Sequence, residues 1–122
     1  MPLLTSIISW VNVKRLHQIE LFMKYPFDVQ QEVFSKLIEQ VQRTTWGIQY
    51  GFDSISSIRE FQERVHISTY ENVKPYINRL RDGEQNLLWP TEIKWFAKSS
   101  GTTSDKRKFI PVSYEALEEC HL

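Results

Sequence analysis

Apolar positions recur at helical spacing from the start of the chain. Leu4, Ile8, Val11, Ile19 and Phe22 fall on one face, with Leu16 filling the gap, so residues 3–24 are expected to form an amphipathic helix. Pro26 is expected to stop it. Asp28 then reads as the cap of a second helix, with Gln31 three residues on completing a capping box, and Val29, Val33, Leu37, Ile38 and Val41 forming its buried stripe. The short connection 25–27 predicts that these two helices pack as an antiparallel pair.

Residues 44–54 carry no helical period and are expected to form a loop. Gly47 and Gly51 would give it backbone freedom, and Trp46, Tyr50 and Phe52 would turn back onto the core. Ser57 with Glu60 opens a short helix through about Arg64, and Ser68 with Glu71 repeats the capping signal. Pro75 breaks a helix interior, so the next helix is expected to start around residues 72–74, with Pro75 in its first turn. Asp82 and Gly83 end it, glycine being the favoured residue just past a helix. Beyond Gly83 the character changes. Residues 87–90 read as a connector, residues 93–98 as a strand, residues 99–106 as a polar loop and residues 108–110 as a second strand. Ser113 is placed to cap a last helix beginning at Glu115. The pattern is therefore mostly α with one short β-hairpin: a helical layer over residues 1–85 and the opening of a second region over residues 86–122. The last helix lacks stop signals, so the chain reads as a piece of a longer protein.

Composition narrows the partners. At 122 residues the chain is long enough for one modest core, and 41% hydrophobic with 25% charged residues is a globular balance. Fifteen basic and fifteen acidic residues cancel, so no global field favours nucleic acid or an anionic membrane, and neither is expected as a partner. No basic segment precedes the first apolar run and no small-residue cleavage site follows it. Cys120 stands alone and rules out an internal disulfide framework. It reads as a small side chain on a helix. A cytoplasmic protein is the expectation.

One segment has the spacing that chemistry needs: Lys98-Ser99-Ser100-Gly101-Thr102-Thr103-Ser104-Asp105-Lys106-Arg107-Lys108. Four hydroxyls flank a glycine between two strands. Gly101 lets successive N–H groups converge on an anion, and the hydroxyls add donors. Lys98, Lys106, Arg107 and Lys108 against Asp105 leave a local charge of +3, suited to phosphate oxygens. The loop is not a Walker A motif, which needs a second glycine followed by lysine and a hydroxyl residue.

Ser-Ser-Gly-Thr-Thr followed by lysine resembles the phosphate-binding loop of the acyl-adenylating superfamily. The string Phe96-Ala97-Lys98-Ser99-Ser100-Gly101-Thr102-Thr103-Ser104-Asp105-Lys106-Arg107-Lys108-Phe109-Ile110-Pro111 is closer still to its GH3 branch, the acyl-acid amido synthetases. Thr69-Tyr70-Glu71 with Lys74-Pro75-Tyr76-Ile77 looks like the segment those enzymes carry ahead of the loop, and Thr45-Trp46-Gly47 also fits. Ser104 stands where the wider superfamily usually has glycine, which favours the GH3 branch over acyl-CoA synthetases.

The resemblance implies an α/β adenylate-forming parent with a large N-terminal and a small C-terminal domain. It implies an ATP-dependent, AMP-forming ligase that adenylates a carboxylic acid and passes the acyl group to an amino acid. Ser99, Ser100, Gly101, Thr102, Thr103, Ser104, Lys106 and Lys108 would hold the β- and γ-phosphates, with Lys108 favoured by spacing for the family's lysine and Lys106 as the alternative. Mg2+ would accompany ATP. The catalytic residues would lie beyond Leu122, so this piece alone would be inactive. A cut inside a larger core would leave apolar surface around Trp95, Phe109 and Leu117, open to dimer formation.

Plainer readings stand beside these. The loop fits a solvated Ser/Thr turn on composition, and an acyl-CoA or acyl-protein synthetase would share its chemistry. A helical interaction domain with no catalytic role is the alternative from another class. Lys106, Arg107 and Lys108 lack an aromatic platform for nucleic acid. Trp10, Trp46, Trp89 and Trp95 are expected in packing roles. His17, His66 and His121 lie too far apart to suggest a metal site, and His66 reads as a structural histidine. Glu118 and Glu119 read as a solvated helix face.

Overall fold

A computed structural model of the chain describes residues 2–100 and 107–121. Two compact units divide it, residues 1–36 and residues 37–122.

In the first unit, α1 (Pro2–Lys24) has the expected length, yet no residue in it is buried. Leu4, Ile8, Ile19 and Phe22 are all more than half exposed. The reason lies in the pattern itself. At 100° per residue, Leu4, Ile8, Val11, Ile19 and Phe22 do share one side, but Leu16 lies beside that stripe and Trp10, Val13, Leu21 and Met23 lie toward the opposite side. Apolar residues thus occur all round α1, and no one face is set apart for burial.

The second helix, α2 (Pro26–Val41), begins at Pro26, two residues ahead of the expected cap. Proline is tolerated in a first turn because its missing N–H would be unpaired there anyway. The Tyr25 N–H donates to the Leu21 carbonyl at 2.8 Å and the Val29 N–H to the Tyr25 carbonyl at 3.0 Å. The hydrogen-bond ladder therefore carries across the junction with no reversing turn, and the expected antiparallel pair does not form.

The second unit holds the core. The segment expected as a loop is instead α3 (Thr45–Gln49) followed by a 3-10 turn (Phe52–Ser54). Thr44, fully buried, caps α3: its Oγ1 accepts from the Gly47 N–H at 3.1 Å and donates to the Val41 carbonyl at 2.7 Å. The first two N–H groups of the helix donate to the Asn86 and Leu87 carbonyls, at 3.0 and 2.9 Å. A helix this short is unstable alone; partners forty residues away satisfy its open end. Gly51 adopts a left-handed conformation, φ 62°, and turns the chain inward so that Phe52 is buried. Trp46 packs on Tyr50 and edge-on to Tyr76, with ring centroids 4.8 and 5.2 Å apart.

The capping pattern at Ser57 holds for α4 (Ile58–Arg64), where the Ser57 Oγ accepts from the Glu60 N–H at 3.1 Å. The next helix, α5 (Tyr70–Arg81), starts earlier than expected because Asn72, not Glu71, closes the cap. Its Oδ1 accepts from the Thr69 N–H and hydroxyl, each at 2.9 Å. Pro75 thus sits in the helix interior, on an exposed side where solvent replaces the lost bond. The far end closes as a Schellman motif: Glu84 N–H to the Arg79 carbonyl at 3.0 Å and Gly83 N–H to the Leu80 carbonyl at 3.1 Å, with Gly83 at φ 101°.

Leu80, Leu87 and Ile93 form a buried cluster, with Tyr76, Leu88, Trp89 and Phe96 packed round it. Gln85 holds the connector by accepting from the Ile93 N–H at 2.9 Å. Strands β1 (Trp95–Lys98) and β2 (Phe109–Val112) then form an antiparallel hairpin that pairs Trp95 with Val112 and Lys98 with Phe109. The last helix, α6 (Tyr114–His121), is capped as expected, the Ser113 Oγ accepting from the Ala116 N–H at 3.1 Å. Trp46 and Trp89 are half-buried, but Trp10 and Trp95 are exposed, contrary to the packing role expected for all four. No helix among the described residues is long and apolar enough to cross a membrane.

Candidate phosphate-binding hairpin

The loop singled out in the sequence leaves β1 and returns into β2. Its base is closed by two residues. The Ser99 N–H donates to the Lys108 carbonyl at 2.9 Å, and the Lys108 N–H donates to the Ser99 Oγ at 3.0 Å. Ser99 is half-buried; Ser100, Arg107 and Lys108 are exposed. Gly101, Thr102, Thr103, Ser104 and Lys106 lie outside the described residues. Of the eight predicted site residues, the structure therefore brings Ser99 and Lys108 together and leaves Ser100 beside them.

Positive charge gathers on aromatic faces at the loop's mouth. The Arg81 guanidinium lies 3.8 Å from the Phe109 ring centroid, Lys98 Nζ lies 5.6 Å from the same ring, and Lys108 Nζ lies 5.6 Å from the Tyr70 ring. Cations over ring faces are held by the ring quadrupole without being neutralised. The hairpin is anchored from α5, where the Tyr70 hydroxyl meets both backbone groups of Phe109. The connector ahead of β1 is tied to α6, where Glu115 Oε2 accepts from Trp89 Nε1 at 3.2 Å and from Thr91 Oγ1 at 2.9 Å. The Glu115 carboxyl is held below the ordinary carboxylate range, first by its own backbone N–H and then by the Thr91 and Trp89 donors.

Tyr70, Arg81 and Glu115 were not among the predicted site residues. Tyr70 lies in the Thr-Tyr-Glu string that carried part of the resemblance, so a signal existed. Arg81 had none, because only the fold brings the end of α5 to Phe109. Among the described residues no group of three His, Cys, Asp or Glu side chains is placed to hold a metal ion. His66 is exposed, which corrects its reading as a structural histidine, and Cys120 is an exposed residue of α6.

The family model described as the GH3 family N-terminal domain matches residues 15–122. The chain belongs to the GH3 family. It is 29% identical over 121 residues to an indole-3-acetic acid-amido synthetase, GH3.2, of Arabidopsis thaliana, a match covering 98% of this chain and 22% of that protein. A jasmonoyl-L-amino acid synthetase, JAR4, of Nicotiana attenuata is 30% identical over 104 residues, covering 84% of this chain and 18% of that one. Among solved structures, a GH3.15 acyl acid amido synthetase superposes with a TM-score of 0.77 at 26% identity, over 85% of this chain and 19% of that one. This GH3 chain spans about a fifth of the length of the relatives it matches.

Proposed function

We propose that this chain is the N-terminal part of an ATP-dependent acyl-acid amido synthetase, and that residues 99–108 clasp the β- and γ-phosphates of ATP. The observation that carries the reading is the hairpin base. Ser99 and Lys108 close the base of a hydroxyl-rich segment, and Arg81, Lys98 and Lys108 itself stand against the Phe109 and Tyr70 rings next to that base. Membership of the GH3 family, whose compared members are named as an indole-3-acetic acid-amido synthetase and a jasmonoyl-L-amino acid synthetase, supports the reaction class.

In that reaction a carboxylate oxygen of the acid attacks the α-phosphorus of ATP, and pyrophosphate leaves. The amine of an amino acid then attacks the acyl carbon, and AMP leaves with the former carboxylate oxygen. Ser100, Thr102, Thr103 and Ser104 offer hydroxyl donors to the phosphate oxygens, while Lys108 faces the charge that builds on the departing pyrophosphate. Lys106 is the alternative partner for that charge. Mg2+ would neutralise part of the phosphate charge. The described residues offer it no carboxylate cluster, so groups outside them would hold it. Within this reading, residues 1–85 form the helical layer and residues 86–122 open the adenylation core. The acid, the amino acid and the remainder of the parent chain are the partners, and the single cysteine supports a cytoplasmic setting.

The test is alanine at Ser100, Thr102 and Lys108 in the full-length enzyme. Acid-dependent pyrophosphate release is expected to collapse while the fold survives. Unchanged turnover rejects the phosphate role and leaves the helical interaction domain as the better reading. Release that persists with a thiol acceptor, and not with an amine, points to an acyl-CoA or acyl-protein synthetase.

A further inference from the structure

Along an antiparallel strand the backbone groups of successive residues point alternately toward the partner strand and away from it. The Lys108 carbonyl and N–H face Ser99 across the hairpin. Those of Phe109 therefore face outward, onto the open edge of β2, where a neighbouring strand would ordinarily pair with them. No third strand is present among the described residues. A phenol takes its place: Tyr70 Oη accepts from the Phe109 N–H at 2.9 Å and donates to the Phe109 carbonyl at 3.3 Å.

The same side chain has a second hold on the strand. Its ring lies 5.6 Å from Lys108 Nζ. Tyr70 thus grips two consecutive residues, the backbone of Phe109 with its hydroxyl and the ammonium of Lys108 with its face. Its own position is firm, because it is the first residue of α5, directly after the Thr69 cap that Asn72 closes. Arg81, at the other end of α5, covers the Phe109 ring at 3.8 Å. Among the described residues no carboxylate lies within ion-pair distance of Arg81, Lys98 or Lys108. Among the described residues, the rings are what these cations stand against.

We propose that Tyr70 is a positioning residue for Lys108: it fixes the register of β2 and the place of the Lys108 ammonium, the group set against the β- and γ-phosphates. This rests on the phosphate-loop reading above and deepens it. Tyr70 touches no phosphate; it acts through Phe109 and Lys108. Without that clamp Lys108 spends part of its time in other arrangements, and phosphate affinity falls in proportion.

The test uses the full-length enzyme as wild type and as Tyr70→Phe, Tyr70→Ala and Lys108→Ala, titrated by calorimetry with ATP, inorganic pyrophosphate and AMP. Tyr70→Phe keeps the ring and loses the clamp on Phe109. It is expected to weaken ATP and pyrophosphate by about three- to tenfold, the range commanded by one net hydrogen bond, with AMP affinity unchanged. Tyr70→Ala loses the ring as well and is expected to weaken both further. If it fails to fold, Tyr70→Phe alone carries the test. Equal loss of AMP affinity in Tyr70→Phe would overturn the inference by showing general damage. Unchanged ATP affinity in Tyr70→Phe, with Lys108→Ala weakened, overturns the inference and leaves the phosphate loop standing. Unchanged affinity in Lys108→Ala overturns both.

Discussion

Gly47→Ala is the substitution whose outcome the fold fixes most tightly. Gly47 sits in α3 with ordinary helical geometry, where alanine would normally gain about 1 kcal/mol in helix propensity. Here a β-carbon would stand 2.1 Å from the Val41 carbonyl oxygen and 2.9 Å from the Gln42 carbonyl carbon, both backbone atoms of the preceding turn. Relief requires that turn or α3 to move by about 1 Å or more, since a contact optimum is roughly 3.5 Å. Such a shift strains the three hydrogen bonds that Thr44 organises, at 3.1, 2.7 and 3.0 Å, around a side chain with no exposure to water. Overpacking costs about 1–3 kcal/mol, and one stranded buried polar group about 1–3 kcal/mol more. With the propensity gain subtracted, a net loss of roughly 3 kcal/mol follows, or a melting temperature lower by about 10 °C for a domain of this size. Thermal unfolding of the 122-residue chain followed by far-UV circular dichroism measures it. A variant that melts at or above the wild-type temperature would refute the close approach of α3 to the end of α2.

Two further outcomes follow from the surface. The Glu60, Glu84 and Glu115 carboxyls are all held below the ordinary glutamate range, chiefly by the Ser56 N–H, the Arg79 guanidinium and the Glu115 N–H respectively. A folded pKa below the unfolded one adds stability that is complete above the unfolded value and lost as pH falls through the folded one. Melting temperature is therefore expected to drop below about pH 4.5, and a Glu60→Gln, Glu84→Gln, Glu115→Gln variant should show a shallower drop; equal slopes would contradict the assignment. The isolated chain, with Trp95 half exposed and the apolar side chains of α1 uncovered, is expected to self-associate in concentration-dependent light scattering; a monomer at all concentrations would contradict that.

How much of this was legible depended on where each signal lay. Caps are local, so Ser57, Gly83 and Ser113 marked their helix ends correctly in the sequence. The helix α3 was missed because it is too short for a period and its first donors bond to Asn86 and Leu87, a pairing no window around residue 45 contains. The early start of α5 was missed because Asn72 took a capping role that glutamate more often fills, displacing Pro75 into the interior. The antiparallel helix pair was expected from Pro26 as a stop, whereas proline at a first turn starts a helix as readily as it ends one. At the site, Ser99 and Lys108 were legible as a motif. Tyr70 stood in a string that carried the resemblance, but its pairing with β2, like the approach of Arg81, comes only from the packing of α5 beside that strand, since a phenol paired to a strand edge leaves no spacing rule in the sequence.

The central claim is that this chain carries the phosphate loop of an acyl-adenylating ligase. Acid-dependent exchange of labelled pyrophosphate into ATP by the full-length enzyme, tested over a panel of aromatic and aliphatic acids, measures it most directly. The account predicts exchange that requires an acid and is lost in Lys108→Ala. Exchange that survives Lys108→Ala with full activity would contradict it.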